Sequence, residues 1–154
     1  MDNNFTVCGL VLIDGKILLV RHTYGVAKGR LLLPGGYVMS GEMQNAAAER
    51  EILEETGVYT AAKSIISARF QPNEWLLVFG MEYFSGAARS DNYENSEVLL
   101  ISPDMAVKRD DITDLSRIII IERFFGKSGN ANGLHDLHYG GKSGDSGKYQ
   151  TWAI

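Results

Sequence analysis

Between Gly36 and Val58 the chain reads GYVMSGEMQNAAAEREILEETGV, and its densest part is Arg50-Glu51-Ile52-Leu53-Glu54-Glu55-Thr56-Gly57. Met43 to Thr56 is built from good helix formers, Ala46, Ala47 and Ala48 among them, and Gly57 stands where a helix ends in left-handed backbone. On such a helix Glu51, Glu54 and Glu55 fall at i, i+3 and i+4 and share one face. One turn rises about 5.4 Å, so three anions crowd a patch one turn long. A lone Glu-Glu pair on a helix is ordinarily a solvated face. Three acids in register with Arg50, Glu42 and Gly36 need a cation among them, and a divalent metal that also holds phosphate answers that need.

The rest of the chain frames this helix. Phe5 to Ile13 is apolar and β-branched and predicts a strand buried on both faces. Asp14-Gly15 is a hairpin signal, with Lys16 to Arg21 as the returning strand. His22 to Arg30 reads as a polar loop, Leu31 to Leu33 as a strand stub, and Pro34-Gly35-Gly36 as the turn that ends it. Tyr59 to Phe70 and Glu74 to Phe84 predict two strands joined at Gln71-Pro72-Asn73. Ser85 to Asn95 is a polar loop, Val98 to Ile101 another short strand, and Ile112 to Phe125 a helix despite the β-prone run Ile118 to Ile121. This gives one domain over residues 1–126 and a Gly/Ser-rich tail over 127–154, flexible or docked. In that tail Tyr149, Trp152 and Ile154 could dock on the domain or on a second subunit, so a homodimer stays open. His135 and His138 read as solvated side chains rather than metal ligands.

Composition narrows the function. The formal net charge of −4 argues against a nucleic-acid binder, which needs a basic stripe. No apolar run approaches the roughly 18 residues that span a membrane, and the N-terminus lacks a basic region followed by a long apolar one. A single cysteine, Cys8 in an apolar strand, predicts an inert buried thiol. The expectation is a cytoplasmic protein with a small-molecule partner and no nucleic-acid or membrane partner.

The pattern Gly36, Glu42, Arg50-Glu51-Ile52, Glu54-Glu55, Gly57-Val58, led in by Leu33-Pro34-Gly35, resembles the signature of the Nudix hydrolases at every defined position. The resemblance implies a Nudix α/β/α sandwich, an α/β (α+β) fold with a central mixed β-sheet between the carboxylate helix and the C-terminal helix. It also implies hydrolysis of a pyrophosphate bond in a nucleoside diphosphate derivative with Mg²⁺ or Mn²⁺, and a nucleotide-type substrate. Carried onto this chain, the metal set is Glu51, Glu54, Glu55, the Gly36 carbonyl and Glu42. The catalytic set is Glu51, Glu54, Arg50 and Glu97. Glu51 is either a ligand or the base, and Arg50 orients a glutamate through a bidentate pair. Glu97 is the acid beyond the motif, with Glu94 as its competitor. Arg21 and Arg30, with Gly35 and Gly36, are candidates for holding substrate phosphates; His22 and Lys28 flank the same loop. Glu49 reads as solvated.

Substrate choice rests on less. Pro72, fifteen residues after Gly57, resembles the ADP-ribose pyrophosphatase subgroup, and Trp75 to Gly86 is similar to the corresponding strand of NADH pyrophosphatases, whose zinc domain is missing here. The expectation is an ADP-ribose-like or dinucleotide substrate. The alternatives are a nucleoside triphosphate, oxidised ones included, and a non-catalytic nucleotide-sensing domain. Phe70, Trp75 and Tyr83 are aromatics that could stack on a base, against core packing as the commoner fate.

Overall fold

The computed structural model describes residues 4–126, 135–136 and 150–153. Ten residues of β1 (Asn4–Ile13) turn at Asp14-Gly15, both at positive φ, into β2 (Lys16–His22). Then follow β3 (Leu31–Leu32), β4 (Gly35–Tyr37), α1 (Gln44–Thr56), β5 (Tyr59–Gln71), β6 (Glu74–Ser85), β7 (Asn95–Ile101), α2 (Pro103–Ala106) and α3 (Asp114–Phe125). The sheet is open and mixed. Its order is β3-β2-β1-β6-β5, with β4 also on β1 and β7 also on β2. β1 and β6 run parallel over Asn4–Val11, and the other pairs are antiparallel.

Alternation along the strands divides the core in two. Val7, Val11, Leu18, Phe79 and Met81 pack against Ala47, Ala48 and Ile52 of α1. Cys8, Leu10, Ile17, Leu19 and Val78 pack on the other side against Ile119 and Ile120 of α3. β1 is therefore buried on both faces, as its sequence predicts, and burial pushes the Cys8 thiol up to about 12. The isoleucine run Ile118–Ile121 is helical because Thr113 caps α3, accepting from the Ser116 N–H at 3.4 Å, and the helix buries its apolar stripe on the sheet.

Three local differences from the sequence reading matter for the site. Gly35-Gly36 is not merely a turn; with Tyr37 it forms β4, paired in register with Val7 and Cys8 of β1. That pairing is so close that a Cβ on Gly35 would lie on the Val7 carbonyl and 2.5 Å from Cys8 Cα. Pro72-Asn73 is a two-residue hairpin turn between β5 and β6, with Asn73 at φ 66. The Pro103–Ala106 helix is absent from the sequence reading, although Ser102-Pro103-Asp104 is a helix-start signal.

Of the tail, Gln150–Ala153 forms a strand, β9, antiparallel to β5, and His135–Asp136 forms β8 beside it. Tyr149, Ile154 and His138 lie outside the described residues. Among the described residues no helix is long and apolar enough to cross a membrane.

Candidate active site

The buried stripe of α1 is Ala47, Ala48, Glu51, Ile52, Glu55 and Thr56. An ordinary amphipathic helix would place apolar side chains at all six positions. Here two are carboxylates, Glu51 at 9% exposure and Glu55 at 1%. Glu54 is not on this stripe; its side chain is 58% exposed at the margin. The three acids thus divide into two that are driven into the protein and one that faces outward.

Glu51 lies against Gly36. A Cβ on Gly36 would sit 2.5 Å from Glu51 Cδ and 2.6 Å from each carboxylate oxygen. Glycine is required there because the carboxylate occupies the side-chain space. One turn on, Glu55 Oε2 accepts from the Gly35 N–H at 3.1 Å, and the buried Asn95 donates its amide to the Glu55 backbone carbonyl at 2.8 Å. The end of the helix is closed by Gly57 at φ 71, whose N–H reaches Leu53.

Arg50 binds the acids together. Its Nε and Nη2 bond both oxygens of Glu42, at 2.7 and 2.9 Å. Nη1 donates to Glu51 at 2.8 Å and Glu54 at 3.1 Å, and Nη2 also reaches the Tyr37 carbonyl at 3.0 Å. One guanidinium therefore ties β4, the 37–43 turn and α1 together. Electrostatics follow. Arg50, with help from the Met39 N–H, holds the Glu42 carboxyl down to about 2. Burial pushes Glu51 up, against the pull of Arg50. Burial also pushes Glu55 up, opposed by His22 and the Gly35 N–H. Two neighbouring carboxylates are thus held in surroundings that disfavour their charge.

The residues expected beyond the motif are placed differently. Arg21 and Glu97 continue the Ile17-Leu19 and Leu99-Ile101 rows, which face α3, not α1. There Arg21 bonds Glu97 at 2.7 Å, Asp111 at 3.0 Å and the Gly29 carbonyl at 2.8 Å. Arg30 spends a donor on the Ile112 carbonyl at 2.6 Å. Glu97 and Arg21 therefore do not join the glutamates; they are a structural ion pair across the other face of the sheet. Glu94, in the loop before β7, adds a smaller electrostatic effect on Glu51 and Tyr24, after that of burial. A one-residue bulge between Arg21 and His22 separates the two groups, and sequence spacing alone does not reveal a bulge. Glu49 is not free in solvent; it accepts from the Ala62 N–H at 3.0 Å and fastens α1 to β5. Trp75 packs edge-on between Phe5 and Phe70, ring centroids 5.5 Å apart in each pair.

Among the described residues no group of three or more His, Cys, Asp or Glu side chains is arranged to hold a metal ion. Arg50 stands among Glu42, Glu51 and Glu54 instead. The donor chemistry still fits a hard cation. The side chains offer oxygen only, Glu55 Oε1 is buried with no hydrogen-bond partner, and the space beside Gly36 is kept free of a Cβ. An ion that retains most of its water needs one or two carboxylates plus substrate oxygens, not a cage.

The NUDIX domain family model matches residues 3–120. An ADP-ribose pyrophosphatase of Methanocaldococcus jannaschii is 40% identical over 67 residues, 44% of this chain and 40% of that protein. A nucleoside diphosphate-linked moiety X motif 6 protein of Xenopus laevis is 41% identical over 69 residues, 44% of this chain and 31% of its own length. The aligned part of this chain spans less than half the length of these curated relatives. The crystal structure of a NUDIX hydrolase from Nitrosomonas europaea superposes with a TM-score of 0.71 at 19% identity, covering 80% of this chain and 73% of that one; this likeness is one of fold.

Proposed function

The chain belongs to the NUDIX domain family, and from that premise we propose that it is a metal-dependent pyrophosphohydrolase acting on a nucleoside diphosphate derivative. The observation that carries the reading is the pair of buried carboxylates, Glu51 and Glu55, set against the Gly35-Gly36 backbone of β4. Burying two acids one turn apart is unfavourable for folding, even with Arg50 paired to Glu51. A site that binds a cation explains why the sequence keeps them.

Mg²⁺ or Mn²⁺, when bound, supplies positive charge to the diphosphate oxygens and makes water a better nucleophile. Glu51, Glu54, Glu55 and the Gly36 carbonyl would hold it. Arg50 orients Glu51 and keeps Glu42 ionised at the edge of the site. Glu51 serves as ligand or as base, and Glu94, whose charge reaches Glu51, is the loop acid that would assist. Of the candidates for holding phosphate, Arg21 has its guanidinium on Glu97 and Asp111, Arg30 gives one donor to the Ile112 carbonyl, and the Gly35 N–H is already on Glu55, so the bound cation would carry most of the diphosphate charge. Intact Arg50, Glu51, Glu54 and Glu55 favour catalysis over a sensing domain, in which loss of these groups is expected.

For the substrate we favour an ADP-ribose-like or dinucleotide diphosphate, with a nucleoside triphosphate as the alternative. The likeness to an ADP-ribose pyrophosphatase supports this choice. The test is a panel of ADP-ribose, dinucleotides and nucleoside triphosphates incubated with Mg²⁺ and followed by ³¹P NMR. ADP-ribose is expected to give AMP and ribose 5-phosphate, with no reaction in EDTA. A folded, metal-supplied protein that cleaves no member of the panel overturns the proposal.

A further inference from the structure

His22 ends β2 one residue past the bulge, and its ring lies under Tyr24. The two rings are stacked, centroids 5.2 Å apart and planes 13° from parallel. On its other side His22 points at the catalytic helix, with Nε2 3.6 Å from Glu55 Oε1. Both atoms are shut off from solvent, and neither has a hydrogen-bond partner among the described residues. Every other part of Glu55 is secured. Oε2 takes the Gly35 N–H and the backbone carbonyl takes the Asn95 amide.

A gap of this kind is informative. Buried polar atoms are almost always paired, because an unpaired one forfeits its solvation and gains nothing. Here two orphans face each other a few tenths of an ångström beyond hydrogen-bond range, with Tyr24 stacked on the imidazole. Among the described residues each is placed to satisfy the other, and a carboxylate oxygen that accepts one N–H keeps a second lone pair for a cation. Resting on the pyrophosphohydrolase reading, we infer that His22 is the positioning residue for Glu55. Its Nε2–H donates to Oε1 as the site assembles and fixes the carboxylate plane between His22 and Gly35. The lone pairs that remain then face the cation and the diphosphate. Tyr24 is the cover that keeps this contact dry; burial first, and then the charges of Glu94, Glu55 and Glu51, raise the pKa of its phenol. Partners that orient a metal-binding carboxylate commonly change metal affinity by about 10–100-fold when removed.

The alternative is that His22 is only a ring packed under Tyr24, and two variants separate the cases. His22→Phe keeps the ring and the stack but has no donor. His22→Gln loses the ring but carries an amide N–H that reaches about as far. Mn²⁺ binding to the substrate-free protein is measured by isothermal titration calorimetry, with thermal melting as a control for folding. The expected result is at least 10-fold weaker Mn²⁺ binding for His22→Phe, and binding within about threefold of the native protein for His22→Gln. If His22→Phe fails to fold, His22→Met supplies the bulk without the donor and takes its place. Native-like binding by the donor-free variant overturns the assignment, and so does a folded His22→Gln that binds as poorly as His22→Phe. The two readings fail separately. A protein that cleaves no diphosphate yet shows this pattern loses the hydrolase reading only. One that cleaves ADP-ribose while His22→Phe binds Mn²⁺ normally loses the positioning role only.

Discussion

Replacing Gly36 with alanine separates catalysis from stability. The new methyl group would stand 2.5 Å from Glu51 Cδ and 2.6 Å from both oxygens. Normal carbon contacts begin near 3.5 Å, so the carboxylate must retreat by about 1 Å. The obstructing atoms are the far end of a flexible side chain, and Gly36 does not need a positive φ. The fold therefore absorbs the change, with a stability loss under about 0.5 kcal/mol and a melting shift of about 1–2 °C. The site does not absorb it. A misplacement of about 1 Å can cost 100-fold in rate, or about 2.7 kcal/mol of barrier. Gly35→Ala is the internal control, because its methyl group meets the Val7 carbonyl and Cys8 Cα, which are backbone. Overpacking against a rigid strand is expected to destabilise by about 3 kcal/mol, roughly 6–12 °C in Tm for a chain of this length. The assay is steady-state hydrolysis beside differential scanning calorimetry. A Gly36→Ala protein within threefold of native activity at unchanged Tm would refute the geometry, as would one that melts as early as Gly35→Ala.

Other substitutions report on separate parts of the site. Glu55→Gln should lower turnover at least 100-fold at pH 7.5 while Tm stays equal or rises. Burial raises the folded pKa of Glu55 above its unfolded value, so in the native protein stability is lost as pH climbs through that range, and the amide removes the loss; calorimetry between pH 4 and 8 reads the difference. Glu42 has the opposite sign. Its folded pKa is depressed to about 2 from 4.5, so its stabilisation is present above about 4.5 and disappears as pH falls toward 2; Glu42→Gln should flatten that acid limb in pH-dependent melts. Glu97→Gln should keep turnover within about threefold and act on stability alone, whereas Glu94→Gln should lower turnover about 10-fold or more, the range of a lost acid–base group; the reverse order would restore Glu97 to the site.

What the sequence shows and what it hides have physical causes. The α1 helix is legible because composition, the Gly57 stop and the acid spacing all point the same way. The hairpins at Asp14-Gly15 and Pro72-Asn73 are legible because positive φ demands particular residues. β4 is not, since two glycines read as a turn until β1 is known to lie against them. The division of the acids into buried Glu51 and Glu55 and exposed Glu54 depends on where the sheet sits, and i, i+3, i+4 spacing cannot distinguish them. Arg21 and Glu97 lie on the α3 side of the sheet while His22 lies beside Glu55, because strand alternation and one bulge decide which face each side chain takes, and that register is a tertiary property.

A titration of Mn²⁺ into the substrate-free protein, followed by electron paramagnetic resonance, asks most directly whether the acids of α1 exist to hold a cation. Saturable binding is predicted for the native chain, with affinity at least 30-fold weaker when Glu51 and Glu55 are both replaced by glutamine in a protein that still folds. Equal affinity in the two proteins, or no saturable binding in the native one, would contradict the account.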